Sequence, residues 1–326
     1  MGGDILSFLV GTVSLAGIYA IYTLGLNLQF GYTDLANLGY VAFFAIGAYT
    51  SIILTFPPPG LMDAYMFGFN LPMWVGVIGA AIAAALFAFL IGLPTLKIGA
   101  EYFVAVTFAF AEIVRLVAEN ETWLTNGSFG FYGLSRPFKQ FFSPYTYEFF
   151  FASLIVGGLI IAYLIMRRIC NSPFGRMLKG IRENEVTCKA LGKDVFRAKL
   201  KSFMIGAAFA GVAGSLYVRY TTVVVASMFV PMVTFVAWWA VMMGGKGNNK
   251  GVILGAFIFV FVDQFTLFAQ ASAAYATRLA SLRMLILGVM LILILRFLPH
   301  GIIKETKVVY NSNIKHKKHN MERRNA

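Results

Sequence analysis

Nine runs of apolar residues, each about the length of a bilayer crossing, dominate the chain: Leu6–Leu28, Leu35–Phe56, Pro72–Leu93, Glu101–Ala118, Phe149–Met166, Ser202–Thr221, Met228–Met243, Val252–Phe268 and Leu282–Leu298. A helix needs about 20 residues to cross the ~30 Å hydrocarbon core. No water in that core meets an open N–H or C=O, so such a run must close its own hydrogen bonds as a helix. The fold class that follows is an all-α polytopic membrane protein with about 8–10 transmembrane helices. Of the 326 residues, 59% are hydrophobic and 13% charged, against roughly 45–50% and 25% in soluble domains. That balance excludes an ordinary soluble enzyme and a nucleic-acid-binding domain. No cationic segment precedes the first run and no cleavage site follows it, so it reads as a span rather than a signal peptide. The two cysteines, Cys170 and Cys188, form no CxxC pair, and His300, His316 and His319 lie at or beyond the last run; no metal site is expected.

The positions of the charges orient the chain. Its formal charge is +13, yet ten of the 27 Lys and Arg fall within Arg167–Lys201 and eight within Arg296–Arg324. Cytoplasmic loops carry the excess of Lys and Arg. With the first block inside, alternation places 21 cations on the cytoplasmic side, Arg136, Lys139, Arg219, Arg278 and Arg283 outside, and Arg115 within a span. The N-terminus is then expected outside and the C-terminus in the cytoplasm. Residues 1–300 form one transmembrane domain and 301–326 a basic cytoplasmic tail. Adjacent runs are nearly fused at 28–35 and 221–228, so a broken or re-entrant segment there would change the count. The longest outer loop, Glu119–Glu148, holds glycosylation tripeptides at Asn120 and Asn126.

The cytoplasmic block 167–201 is too long for a simple turn. Ser172-Pro173 signals a helix start. Met177, Leu178, Ile181, Val186, Ala190 and Leu191 recur at helical spacing, and Gly192 ends the pattern. One or two short amphipathic helices are expected at the membrane surface. Such a helix either lies on anionic lipid or seats in a groove of a soluble partner; composition leaves both open.

Four ordered stretches resemble one family. They are Asn27–Thr33 with Leu38–Tyr49; Ala100–Thr107 with Glu112-Ile113-Val114-Arg115; Ser172–Arg176 with Ile181–Glu185 and Ala190-Leu191-Gly192; and Gly244–Gly247 with Gly255-Ala256-Phe257 and Leu282–Gly301. From about Leu24 to Ile303 the chain resembles the inner-membrane permeases of branched-chain amino-acid ABC importers, the LivM-like member of the LivH/LivM family. The resemblance implies a permease subunit with no chemistry of its own and no cofactor, residing in the cell membrane. It implies two cytoplasmic ABC ATPases, a second, LivH-like permease, an extracytoplasmic substrate-binding protein and membrane lipid as partners, and no nucleic acid. The chain carries no G-x-x-x-x-G-K-[ST] phosphate loop, so ATP is expected on the partner subunits. Arg176, Ile181, Arg182, Glu183, Glu185, Ala190, Leu191 and Gly192 become the expected ATPase-coupling residues, with Met177, Leu178, Ile181 and Leu191 filling an apolar groove. Similar permeases handle urea, short amides or sugars, so the substrate class stays open.

Polar residues within the runs are the other candidates, because ionisable groups there are costly and are paired or face a cavity. Glu112 and Arg115 lie three apart: either they face the translocation path, or they pair and lock the fourth span to a neighbour. Asp263 poses the same choice, with Arg219, Arg278 or Arg283 as partner. Asn27, Gln29, Asp34 and Asn37 cluster where the first span breaks, a place that can expose backbone dipoles to a solute or simply turn the chain; Asn27, Asn37 and the nearby Tyr40 are the pathway candidates there. Gly206–Gly214 and the Gly76–Ala84 stripe read as close helix packing, Pro231 as a kink, and Trp238-Trp239 as an anchor at the inner interface. An ion-coupled secondary transporter would need a midplane carboxylate, for which Asp263 is the candidate, and would not need the 172–193 segment. An intramembrane enzyme would need a catalytic cluster, and none appears.

Overall fold

The computed structural model describes residues 2–60, 65–134, 136, 138–139, 142–269 and, beyond these, 285, 288–289, 292–293, 296–297, 301–303 and 305. Most of the expected span Leu282–Leu298 lies outside the described residues, as do Arg278, Arg283, the three histidines and nearly all of the 301–326 tail. The elements are α1 (Gly2–Leu26), α2 (Tyr40–Thr55), α3 (Met73–Thr95), α4 (Ala100–Asn120), α5 (Thr122–Thr125), α6 (Pro144–Asn171), α7 (Pro173–Glu183), α8 (Glu185–Ala190), α9 (Val195–Thr221), α10 (Pro231–Gly244) and α11 (Asn249–Ala269). Two short strands, β1 (Phe131–Tyr132) and β2 (Val223–Val224), pair antiparallel. The protein is an all-α polytopic membrane protein.

Six helical stretches are long and apolar enough to cross a membrane among the described residues: Ile5–Gly31, Met73–Thr95, Thr146–Asn171, Val195–Thr221, Ala226–Gly244 and Asn249–Leu267. The expected spans two and four differ in kind. α2 has 16 residues and its side chains are mostly buried, so protein rather than lipid surrounds it. α4 has 21 residues but carries Glu101, Glu112, Arg115 and Glu119, which dilute its hydropathy. Both near-fused junctions resolve into breaks. α1 continues as a π-helical turn, Asn27–Gly31, and the chain then reverses through Asp34 at φ 57° before α2. α9 stops at Thr222, also left-handed, and β2 and a 3₁₀ turn lead to α10. Pro231 sits at the first turn of α10, where its missing N–H costs nothing, and so begins that helix instead of kinking it. The Trp238 indole N–H donates to the Asn37 carbonyl at 3.1 Å and its ring packs on Phe30.

α9 is the central post, packed against α1, α2 and α3. Small residues make that possible, because without a hydrophobic drive between helices in lipid, close backbone approach supplies the attraction. A Cβ on Gly211 would lie 2.4 Å from the Ala80 carbonyl oxygen, and one on Gly214 2.1 Å from that of Phe44. α3 answers with a buried stripe every fourth residue, Gly76, Ala80, Ala84, Ala88 and Gly92. The packing expected of Gly206–Gly214 is what the structure contains.

Candidate functional site

The 172–193 segment is a pair of short helices hung between two long ones. The Ser172 hydroxyl accepts from the Gly175 N–H and Pro173 occupies the first turn of α7. Asn184 breaks α7 and caps α8 by accepting from the Thr187 N–H at 2.9 Å. α8 then closes in a Schellman motif. The Gly192 N–H donates to the Lys189 carbonyl at 3.0 Å and the Lys193 N–H to that of Cys188 at 3.1 Å, with Gly192 at φ 72°. Asp194 caps α9 by accepting from the Arg197 N–H. Each end of the segment carries a local cap.

Its two faces are set apart by burial. Leu178 and Ile181 are buried in the protein's own core, and Met177 packs against it. They are therefore not available to fill a partner's groove, as the sequence reading had Ile181, Leu178 and Met177 do; an amphipathic pattern marks a buried face but not whose core buries it. Arg182 also turns inward, at 16% exposure. Its guanidinium donates to the Gly31 carbonyl at the end of the π-helical turn and to Glu305 at 2.7 Å. Lys179 reaches the same carboxylate at 2.7 Å and lies over the Tyr32 ring. Burial pushes the Glu305 carboxyl up, but these two cations outweigh it and hold the group below its ordinary value. α7 is thus riveted to the broken end of α1.

The outward face belongs to α8 and its flanks. Val186 and Leu191 stand 75% and 71% exposed, with Arg176, Glu183, Ala190 and Gly192 also exposed around them. Nothing lies within 4 Å of where a Gly192 Cβ would be. Glu185 does not point away. It binds Lys199 of α9 and Lys189 at 2.9 Å, and the Lys199 contact holds its carboxyl below the ordinary value despite partial burial. Sequence reasoning counted Glu185 with the docking residues; the structure makes it the brace of α8 against α9.

The pathway candidates divide. Asn27, Asn37 and Tyr40 are fully buried and engaged inside the protein. Asn27 donates to Asn249 Oδ1 at 2.9 Å and accepts from the Gly247 N–H at 2.9 Å. Asn37 donates to Gln29, which donates to the Phe203 carbonyl. The Tyr40 hydroxyl reaches the carbonyls of Tyr22 and Gly206 at 3.0 and 2.8 Å. They knit the α1 break to α9 and to the loop before α11. Glu112 and Arg115 pair within α4, Nε to Oε1 at 3.0 Å, and Arg115 also binds Glu119 at 2.7 Å. The pairing reading holds, but the bond runs along one helix and locks it to no other. Asp263 is half-buried on α11, within electrostatic reach of Tyr19. Among the described residues no cluster of His, Cys, Asp and Glu could hold a metal. The outer-loop tripeptides have structural uses: the Asn126 amide nitrogen donates to the Gly130 carbonyl at 2.6 Å in a left-handed turn, and that of Asn120 to Leu116. Gln29 belongs to the cluster read from the sequence, but Asn249 and Glu305 were missed; the only signal was that a polar residue so placed must find a buried partner.

A bundle of long apolar helices carrying a rigid, self-capped knob on one basic loop, with no phosphate-binding motif of its own, is the membrane part of a transport system. Residues 8–295 match the model of a family described as the branched-chain amino acid transport system permease component. The chain belongs to this family and is a LivM-like permease subunit of an ABC importer. It is 31% identical to the probable branched-chain amino acid transport permease protein LivM of Methanocaldococcus jannaschii, covering 90% of this chain and 92% of that one. It is 30% identical to the high-affinity permease LivM of Escherichia coli, covering 91% and 71%. More distantly, it is 23% identical to the nucleoside ABC transporter permease NupC of Lactococcus lactis over 69% of its length. No solved structure matches the chain.

Proposed function

We propose that the chain forms one half of the translocation pathway for branched-chain or related amino acids, paired with a LivH-like permease and opened by two cytoplasmic ATPases that bind the ATP. A binding protein outside delivers the substrate. The 21-to-5 excess of Lys and Arg supports the orientation, with the N-terminus outside and the tail, Arg167–Lys201 and Gly244–Gly251 in the cytoplasm. The observation that carries the reading is the division of the coupling segment into an inward face anchored by Leu178, Ile181 and Arg182 and an outward apolar pair, Val186 and Leu191. An ATPase gripping the knob would pull on α7, and Arg182 would pass the pull to the π-helical turn. Urea, amide or sugar transport by the same machine is the second reading, since the substrate is chosen largely by the binding protein.

The test is ATP-driven uptake of leucine in proteoliposomes containing the whole transporter. Val186→Asp with Leu191→Asp should leave the permease in the membrane and lower ATPase co-purification at least tenfold, as two desolvated apolar anchors are lost. Undiminished co-purification and uptake would sink the docking reading. Intact ATP coupling with uptake of another solute and none of leucine would retain the importer and change its cargo.

A further inference from the structure

A large cleft among the described residues lies between α3 and α6 and is floored by α9. Its volume is about 1240 Å³, above the ~300–1,000 Å³ typical of a small-molecule pocket. Its walls are nearly all apolar. Along α6 it runs from Leu154 to Ile165 and along α9 from Ala208 to Arg219, about 17 Å at the helical rise. That is close to half the ~30 Å hydrocarbon core, the depth of one leaflet. Its rim is formed by Trp74, Ile78, Ile161 and Ile165, all strongly exposed large apolar side chains of membrane helices, so it opens toward the bilayer.

Two features of the lining bear on what the cleft could hold. Gly157 and Gly158 sit side by side on its α6 wall, and a Cβ on either would meet nothing within 4 Å. Glycine inside a helix is destabilising relative to alanine. At Gly211 a backbone contact explains that cost; here no neighbour among the described residues does. The second feature is Arg219, 3% exposed, the one charged residue lining the cleft among those described. It stands at the end shared with Asn70 and Pro72 and donates to the Thr55 hydroxyl.

We propose that this cleft is a binding site for an anionic phospholipid: an acyl chain lies along α9 in the notch left by Gly157 and Gly158, and the phosphate meets Arg219. In the orientation proposed above this is an outer-leaflet lipid. An amino acid fits poorly, because its ammonium finds no carboxylate in the lining and its volume leaves most of the cleft empty. The paired permease is the competing occupant, and Gly158→Phe separates the two.

The experiment is native mass spectrometry of the intact transporter in mild detergent, supplied with phosphatidylglycerol or phosphatidylcholine. The wild type should retain one lipid per copy of this chain and favour phosphatidylglycerol about fivefold, the size of one cation's attraction for an anionic headgroup. Gly158→Phe, whose ring enters open space, should abolish retention with little change in Tm. Arg219→Gln should bring the two lipids to parity; should that variant misfold, Gly158→Phe carries the test alone. Retention unaffected by Gly158→Phe, or equal retention of the two lipids by the wild type, overturns the site. So does loss of the paired permease from the Gly158→Phe complex, which would make the cleft a subunit interface.

Discussion

Replacing Arg182 with methionine isolates the joint between the coupling segment and the membrane helices. The side chain is 16% exposed and makes two charge-assisted bonds, to the Gly31 carbonyl and to Glu305. Bonds of this kind contribute roughly 1.5–3 kcal/mol each when buried. Glu305 is not orphaned by the change, because Lys179 still holds it at 2.7 Å; the uncompensated loss is the Gly31 carbonyl. Methionine keeps the apolar stem, so packing is largely spared. The expected cost is about 2 kcal/mol, read as a fall in Tm of about 3 °C for a chain of this length. Lys179→Met, at a residue 30% exposed, should cost under about 1 kcal/mol. The functional readout is the ratio of leucine imported to ATP hydrolysed in proteoliposomes. Arg182→Met should lower that ratio severalfold while hydrolysis continues, since the ATPases still dock on α8 but the pull is no longer delivered to the π-helical turn. An Arg182→Met transporter with reduced Tm and an unchanged ratio would refute the reasoning, leaving Arg182 a staple without a mechanical part.

Three further outcomes follow from the same geometry. Gly192→Val forces a branched side chain to φ 72° at about 1–2 kcal/mol, with no steric clash; faster amide exchange in α8 and weaker ATPase binding should appear together, and one without the other would contradict a shape-dependent knob. Gly211→Leu puts a side chain against the Ala80 carbonyl, and should cut the yield of folded protein while the chain still inserts; a Tm within 2 °C of wild type, taken as about 1 kcal/mol or less, would deny α9 its central role. The Glu185 carboxyl is held below its ordinary value of 4.5, chiefly by Lys199. Its folded value is the lower one, so the brace on α8 is fully present above pH 4.5 and is lost as the pH falls through that lower value. Amide exchange in α8 should be flat from pH 7 to 5, after correction for the intrinsic rate, and rise only below; loosening near pH 6 would point to another group.

The membrane helices and the basic loop were legible because the signals behind them are summed over many residues: 20 apolar positions in a row, or ten cations in 35. The caps of α7 and α8 were legible because Ser172, Pro173 and Gly192 act within a few residues of themselves. What the pattern did not carry was the identity of the neighbour. Leu178 and Leu191 look alike on a helical wheel, yet one is fully buried and the other 71% exposed, since α7 lies on the bundle and α8 stands off it. Asn27 and Asn37 looked like path-lining groups for a similar reason: a polar side chain in an apolar run demands a partner, and only the fold reveals Asn249 and Gln29. In α4 the charges of Glu112 and Arg115 were plain in the sequence, but that the two meet each other along one helix was not.

The two helices that carry the coupling segment are longer than any bilayer requires. α6 has 28 residues and α9 has 27, about 40 Å each at the helical rise, against ~30 Å of hydrocarbon. With the surplus of about two turns at the cytoplasmic end, α7 and α8 would stand on stilts clear of the lipid tails. A motor docked there, as proposed, would touch protein alone, and its stroke would enter two long helices rather than a soft sheet of headgroups. Thinning or thickening the surrounding bilayer would then change the height of the platform without changing its shape.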